Sequence, residues 1–168
     1  MKNFYVGIDP GASGGFVIYS PSVGLSEDMY LVTQPMIEDL GKRFTWMKQY
    51  LTGVAITTHV CLEQVSGFIG TKHPGSRMFN FGMNYGSILM ALAALGIQYT
   101  LVTPQKWQKE LGIHPRYKKV ESKEDFKRRL RTIAVKLFPN FSDQITLKTC
   151  DAVLLSYYSF LLTNSSKD

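Results

Sequence analysis

Cysteine is scarce in this chain of 168 residues, which contains only Cys61 and Cys150. The two lie far apart and lack the spacing of metal ligands, so the sequence excludes a disulfide framework and a zinc knuckle. The three histidines are scattered along the chain and form no cluster in the sequence. We therefore expect both thiols to be reduced and partly buried.

Long hydrophobic runs are also missing. No stretch of 18 or more uncharged apolar residues occurs, which argues against a membrane span, and we expect no signal peptide before the first strand-like segment. With 45% hydrophobic residues, the chain can bury one good core. We expect a single domain over residues 1–163 and a short polar tail at 164–168. The expected location is the cytoplasm or the interior of a host cell, and an organelle location would require removal of a transit peptide.

Positive charge is concentrated in one segment. The net charge is +6, yet residues 106–136 hold 11 of the 19 basic residues and only four acidic ones, a local excess of +7 that leaves −1 elsewhere. A run of charge is usually a solvated face. Concentration of the whole excess in one segment is also the electrostatic footprint of a nucleic-acid partner, and composition alone leaves both interpretations open.

The pattern of apolar residues predicts alternating strands and helices. Runs rich in β-branched and aromatic residues, separated by Gly, Pro and Ser, predict strands, and apolar residues at helical spacing predict helices. The predicted strands cover 4–9, 15–19, 29–33, 59–63 and 97–102, and the predicted helices cover 36–51, 77–95, 104–111, a segment after the capping residue Ser122, and 147–162. The order is βββαβαβααα, and the first three strands are expected to form a meander.

The helix predicted over 77–95 is apolar on nearly every side. Such a helix is typically sandwiched between two apolar surfaces. Gly82 and Gly86, four residues apart, would let another backbone approach closely. We therefore expect one face of this helix to pack in the core and the other to pack against a partner subunit.

Three acidic residues stand in apolar sequence: Asp9 at the end of the first strand, Glu63 at the end of the fourth and Asp151 in the last helix. An ionised carboxylate in such surroundings is costly unless a cation compensates it. Singly, Asp9 could cap a turn, Glu63 could pair with a lysine and Asp151 could cap its helix. Together they favour a site for Mg²⁺ or Mn²⁺, which prefer carboxylate and water ligands. The glycine-rich stretch after Asp9 also fits a phosphate-binding loop.

These motifs resemble the RuvC-type Holliday junction resolvases, particularly their phage and chloroplast branches. The resemblance is carried by GIDPGASGG at 7–15, CLEQV at 61–65, PQKWQKELG at 104–112 and KTCDAVLLSYY at 148–158. It covers residues 3 to about 162. It implies an α/β RNase H-like fold with a five-stranded mixed sheet, in which the first three strands are antiparallel and helices flank the sheet. It also implies a homodimer that acts on four-way DNA junctions.

The resemblance assigns Asp9, Glu63 and Asp151 as ligands of two Mg²⁺ ions per active site, with Mn²⁺ as a substitute. The implied chemistry is two-metal hydrolysis of a phosphodiester, in which one ion generates hydroxide and the other stabilises the leaving oxygen. The glycines after Asp9 would then form the tight turn between the first two strands. No nucleotide cofactor is expected, because sugar kinases and actin-like ATPases need two such domains.

The chain departs from the family at two places. Bacterial members carry Asp or His three residues before the helical aspartate, where this chain has Lys148. If Lys148 shares a helix face with Asp151, its ammonium would lie near the metals and act in catalysis. The family also has an aromatic residue after EQV that wedges into the junction. This chain has Ser66 at that position, and Phe68 is either a substitute wedge or a loop anchor.

Lys127, Arg128 and Arg131 are expected on the outer face of their helix. The predicted DNA-binding residues are Phe68, Lys72, Lys106, Lys118, Lys119, Lys123, Lys127, Arg128 and Arg131.

Three functions follow in order of preference. The first is a structure-selective endonuclease that resolves four-way junctions by paired incisions. The second is an RNase H-like nuclease that acts on another branched DNA or an RNA substrate. The third is a non-catalytic DNA-binding module of the same fold, which the complete set of carboxylates disfavours.

Overall fold

Five strands form one mixed sheet in the computed structural model, which describes residues 2–21, 29–53, 56–64 and 75–165. β1 and β2 are antiparallel, as are β2 and β3, whereas β4 is parallel to both β1 and β5. The spatial order is β3-β2-β1-β4-β5. The predicted mixed sheet with three antiparallel strands is confirmed. The strands are β1 (Lys2–Asp9), β2 (Gly15–Ser20), β3 (Tyr30–Pro35), β4 (Ile56–Glu63) and β5 (Tyr99–Val102).

The described residues also form five α-helices, which follow the strands in the predicted chain order, and one 3₁₀ turn, Pro139–Phe141. Within the described ranges, none of the helices combines the length and the apolar character needed to cross a membrane. The helices are α1 (Leu40–Leu51), α2 (Gly75–Ala94), α3 (Pro104–Glu110), α4 (Lys123–Leu137) and α5 (Cys150–Ser165).

Side chains alternate between the two faces of the sheet and build two cores, one on each face. On the first face, Tyr5 and Val17 pack with buried residues of α3, α4 and α5. On the second face, Val6 and Ile18 pack with residues of α1 and α2. The sheet is therefore the middle of three layers, with three helices on one side and two on the other.

The closest contact between a helix and the sheet is that of α5 with β1. α5 is buried along most of its length. A β-carbon added at Gly7 would overlap the carbonyl oxygen of Ala152 and lie 2.5 Å from the backbone nitrogen of Ser156. Only glycine lets the two backbones approach this closely, so Gly7 sets the position of the first turns of α5.

The inner face of α2 is fixed by a buried arginine on α1. Arg43 is 1% exposed. Its guanidinium donates to the Ile37 carbonyl at 2.8 Å, to Oδ1 of Asn84 at 3.2 Å and to Oγ of Ser87 at 2.6 Å. Burial of a cation is tolerated only with such hydrogen bonds. This network joins α1 to α2 and holds α2 against the second core.

The outer face of α2 is exposed and apolar. Phe79 is 70% exposed and Met90 is 69% exposed, and Met83 lies between them on the same face. Gly82 and Gly86 have no atom within 4 Å of an added β-carbon. One face of α2 therefore packs in the core as predicted, while the other has no neighbour in the described part of this single chain. Whether it meets a partner subunit stays a prediction.

Candidate active site

The carboxylates predicted at the ends of two strands lie at one edge of the sheet. β1 and β4 are parallel neighbours with Ile8 opposite Leu62, and Asp9 and Glu63 are the next residues of the two strands. Asp151 stands in the first turn of α5, next to Ala152, which packs on Gly7 of β1. Three elements that are distant in sequence therefore bring their acidic side chains to one place, which we call the carboxylate centre (Asp9, Glu63, Asp151).

A lysine from α4 enters this centre. The Nζ atom of Lys127 lies 2.6 Å from Oδ2 of Asp151 and 3.8 Å from Oδ2 of Asp9. Burial alone would lower the pKa of Lys127, but the Asp151 and Asp9 carboxylates outweigh burial and the pKa is raised. The ammonium therefore stays charged and supplies the cation that these carboxylates require.

The electrostatics of Asp9 reflect its crowded position. Burial and then repulsion from Asp151 raise the pKa of Asp9, although Lys127 and a hydrogen bond from Gly11 act in the opposite direction. That bond runs from the Gly11 backbone N–H to Oδ1 of Asp9 at 3.0 Å. The turn after β1 therefore holds one carboxylate oxygen and leaves the other, Oδ2, facing Lys127.

Glu63 is held from the opposite side by a tryptophan. The indole Nε1–H of Trp107 donates to Oε2 of Glu63 at 3.0 Å, and the Trp107 side chain is fully buried in the first core. Burial and the neighbouring charge of Asp9 raise the pKa of Glu63 to about 8, even though the Trp107 donor lowers it. Additional positive charge at the centre would therefore favour the ionised form of Glu63.

Cys150 also touches the centre, since its Sγ donates to Oδ1 of Asp151 at 3.3 Å. Burial, followed by repulsion from Asp151, raises the pKa of the Cys150 thiol. A thiol must lose its proton to bind a metal or act as a nucleophile. Cys150 is consequently a neutral, buried neighbour of the centre, in agreement with the expectation for both cysteines.

The chemistry of the centre fits an oxygen-liganded divalent cation. Three partly or fully buried carboxylates face one ammonium, so their ionised forms carry an uncompensated negative charge. Asp9, Glu63 and Asp151 are the residues that could hold such an ion, and carboxylate oxygens are the ligands that Mg²⁺ and Mn²⁺ prefer. Among the residues that the structure describes, however, no three His, Cys, Asp or Glu side chains are grouped as a ready metal site. Lys127 instead occupies the space next to Asp9 and Asp151.

The orientation predicted for Lys127 is wrong. The sequence pattern predicts Lys127 on the outer face of α4 with Arg128 and Arg131, but its side chain contacts the carboxylates. The physical reason is helical spacing, because residues 130 and 134, three and seven positions later, are both buried. The sequence contained this signal, since Lys127 shares its stripe with Leu130 and Ala134.

The helix position predicted for Lys148 is also wrong. α5 begins at Cys150, and Lys148 lies in the preceding turn with its side chain exposed. The hydroxyl of Thr146 accepts from the backbone N–H groups of Lys148 and Thr149 at 3.2 and 3.3 Å. These bonds satisfy the backbone before the helix begins, so Lys148 and Asp151 do not share a helix face. A catalytic role for Lys148 stays a prediction.

The other predicted DNA-binding residues that the structure describes lie on exposed parts of α3, α4 and the loop between them. Arg128 is exposed and pairs with Glu124 at 2.6 Å, while Nε of Arg131 donates to the Ile145 carbonyl at 2.7 Å. Phe68 and Lys72 lie outside the described residues. The remaining exposed candidates are Lys106, Lys118, Lys119 and Lys123.

This sheet, with its carboxylates at the ends of two parallel strands and on the last helix, defines an RNase H-like fold of the RuvC type. Two solved structures of Thermus thermophilus RuvC share it. The RuvC structure has a TM-score of 0.50 at 14% identity, covering 98% of this chain and 97% of that one. RuvC in complex with a Holliday junction substrate has a TM-score of 0.54 at 11% identity, covering 99% and 97%. No protein-family model and no curated protein sequence matches the chain. At these identities the likeness establishes the fold.

Proposed function

We propose that the protein is a metal-dependent endonuclease that resolves four-way DNA junctions. The observation that carries the proposal is the convergence of Asp9, Glu63 and Asp151 on one edge of a RuvC-type sheet. The likeness to RuvC in complex with a Holliday junction substrate supports branched DNA as the ligand. The reaction would be hydrolysis of a phosphodiester bond.

The carboxylate centre would hold two Mg²⁺ ions per active site, or Mn²⁺ in their place. When bound, the ions would activate water for in-line attack and stabilise the leaving oxygen. The chain itself orients the ligands: the Gly11 N–H fixes Oδ1 of Asp9, and the helix contact at Gly7 fixes Asp151. Without metal, the Lys127 ammonium compensates the negative charge of the carboxylates. Once metal ions neutralise the carboxylates, this ammonium would be available to hold a non-bridging phosphate oxygen. A similar role for Lys148 stays part of the proposal.

Basic residues on the side of the sheet that carries the centre would bind the DNA backbone. α4 brings Lys127 into the centre while Arg128 remains exposed beside it. Such exposed cations contact phosphates and provide affinity without sequence preference. The proposed backbone contacts are Lys72, Lys106, Lys118, Lys119, Lys123, Arg128 and Arg131, and Phe68 stays a proposed wedge at the junction.

Two copies of the chain would pair through the outer face of α2. That face combines exposed Phe79, Met83 and Met90 with two glycines that leave open space above the helix. An apolar helix face with small residues favours close packing against an identical helix across a two-fold axis. A dimer would present two carboxylate centres to one junction and so produce paired incisions on opposite strands.

The decisive experiment compares cleavage of matched four-way, three-way, flap, linear duplex and RNA–DNA substrates with Mg²⁺. We expect paired cuts in the four-way junction, and we expect Asp9→Asn to abolish cleavage while junction binding is retained. Asp143→Asn, which changes an exposed carboxylate elsewhere on the surface, is the matched control and should cut like the unmodified protein.

Each outcome of this comparison separates the candidate functions. Preferential cutting of another substrate would identify a nuclease of different specificity. Binding without cleavage of any substrate would identify a DNA-binding module. Undiminished cleavage in excess chelator would exclude a metal-dependent mechanism.

A further inference from the structure

Trp107 makes a polar contact that the proposed chemistry does not yet use. It is fully buried among apolar residues of the first core, and its one polar atom, Nε1, donates to Oε2 of Glu63 at 3.0 Å. A buried indole usually finds an acceptor for its N–H. Here that acceptor is a carboxylate of the candidate active site rather than a backbone carbonyl.

The path of the chain makes this contact rigid. In the parallel pair of β4 and β5, Glu63 lies opposite Val102, and the Gln64 N–H donates to the Val102 carbonyl at 2.8 Å. α3 begins two residues after Val102, with the side chain of Thr103 as its cap and Pro104 at its start. Its first turns therefore return over the end of β4, and Trp107 reaches Glu63 from a helix that is anchored to the neighbouring strand.

An indole N–H is a donor with one fixed direction, which cannot accept a hydrogen bond and does not ionise. Its bond to Oε2 restricts rotation of the Glu63 carboxylate and leaves Oε1 as the oxygen without this partner. A ligand that is oriented in advance binds a metal more tightly, and loss of such outer partners typically weakens metal affinity about 10–100-fold.

We propose that Trp107 is a positioning residue, which orients the Glu63 carboxylate for binding of a divalent cation through its indole N–H. The inference rests on the proposed function, since it assumes that Glu63 is a metal ligand. The competing explanation is that Trp107 only fills the core and that Glu63 merely satisfies its N–H. The two explanations differ in what happens to metal affinity when the N–H alone is lost.

The test measures Mn²⁺ binding to the full chain by calorimetry, with no DNA present. Trp107→Phe keeps an aromatic ring but removes the N–H, and we expect its Mn²⁺ affinity to fall about 10–100-fold. Trp46→Phe is the matched control. Trp46 lies on α1 on the opposite side of the sheet and packs against Phe16 and Tyr50, so its replacement should leave Mn²⁺ affinity unchanged.

A second variant separates the N–H from the size of the ring. In the Trp46→Phe protein, Trp107 is the only tryptophan, so growth of a tryptophan auxotroph on benzothienylalanine replaces position 107 alone. This analogue has nearly the shape of tryptophan and lacks the N–H. We expect the same loss of Mn²⁺ affinity, and we expect the cleavage rate of both variants to recover at a higher metal concentration.

Unchanged Mn²⁺ affinity in the folded benzothienylalanine protein would overturn the inference. Asp9→Asn distinguishes this failure from failure of the proposed function. If Asp9→Asn abolishes Mn²⁺ binding while the analogue does not weaken it, only the role of Trp107 is refuted. If the unmodified protein binds no Mn²⁺ at all, the proposed metal centre and the inference fail together.

Discussion

Lys127 is the one basic side chain seen in contact with the carboxylate centre in the described part of the chain. Its ammonium compensates Asp151 directly and Asp9 at a longer distance, and all three side chains are largely buried, with 12–25% of their surface exposed. Removal of one member of a buried ion pair leaves the other uncompensated, and this is more damaging than loss of an exposed pair. The stability of the metal-free protein should therefore depend on Lys127.

We predict that Lys127→Met lowers the free energy of unfolding of the metal-free protein by about 1–3 kcal/mol. Chemical denaturation in the presence of a chelator measures the change. Arg128→Met is the control, because Arg128 is the next residue, and its side chain is 62% exposed; its loss should change stability by less than about 0.5 kcal/mol. Equal effects of the two substitutions would show that Lys127 does not compensate the carboxylates.

Sequence patterns alone predict some residues of the site better than others. Asp9 and Glu63 stand out because each ends an apolar strand, and this signal is local. The partners of these acids are set by contacts between distant segments: Trp107 reaches Glu63 from 44 residues away and Lys127 reaches Asp151 from 24 residues away. Local periodicity indicates that Lys127 lies on a buried stripe, but not which charged group it meets.

At the scale of elements, the contact between α5 and β1 determines where Asp151 lies. The glycine at position 7 allows the helix backbone to rest directly on the strand. Any larger residue would push the first turns of α5 outward and carry Asp151 away from Asp9. The geometry of the centre thus depends on a residue that has no side chain and no part in the chemistry.

We predict that Gly7→Ala destabilises the protein by about 1–3 kcal/mol, as expected for overpacking against backbone atoms, and that it weakens Mn²⁺ binding. Thermal unfolding and calorimetry measure the two effects. Gly41→Ala is the control, because an added β-carbon there meets only Oδ1 of Asp39 at 3.4 Å. A stable Gly7→Ala protein with unchanged metal affinity would contradict the assigned role of this contact.

The elements themselves were largely predictable, and their boundaries less so. Runs of β-branched and aromatic residues predict all five strands in order, and Ser122, the predicted cap of α4, forms a capping box with Asp125. The apolar pattern, which begins at Leu147, predicts a start of α5 three residues too early. Side-chain bonds of Thr146 to the backbone delay the helix to Cys150, and periodicity contains no information about such bonds.

At the scale of the whole molecule, the exposed face of α2 suggests how two copies would associate. We predict that the combined substitution of Phe79→Glu and Met90→Glu yields a monomer, because charges would be buried at the two-fold axis. Sedimentation equilibrium at micromolar concentration measures the mass. Leu137→Glu, which changes a partly exposed apolar residue of α4, should leave the mass unchanged. An unmodified protein that is itself monomeric, free and on DNA, would refute the dimer.

The three-layer arrangement also has a consequence for substitutions. Trp107, Lys127 and Asp151 come from the three helices on one side of the sheet, whereas α2 and its supporting Arg43 lie on the other side. The sheet therefore separates the outer face of α2 from the packing around the carboxylates. If two copies pair through this face, as proposed, its substitution would change how the copies associate and would leave the carboxylate centre intact.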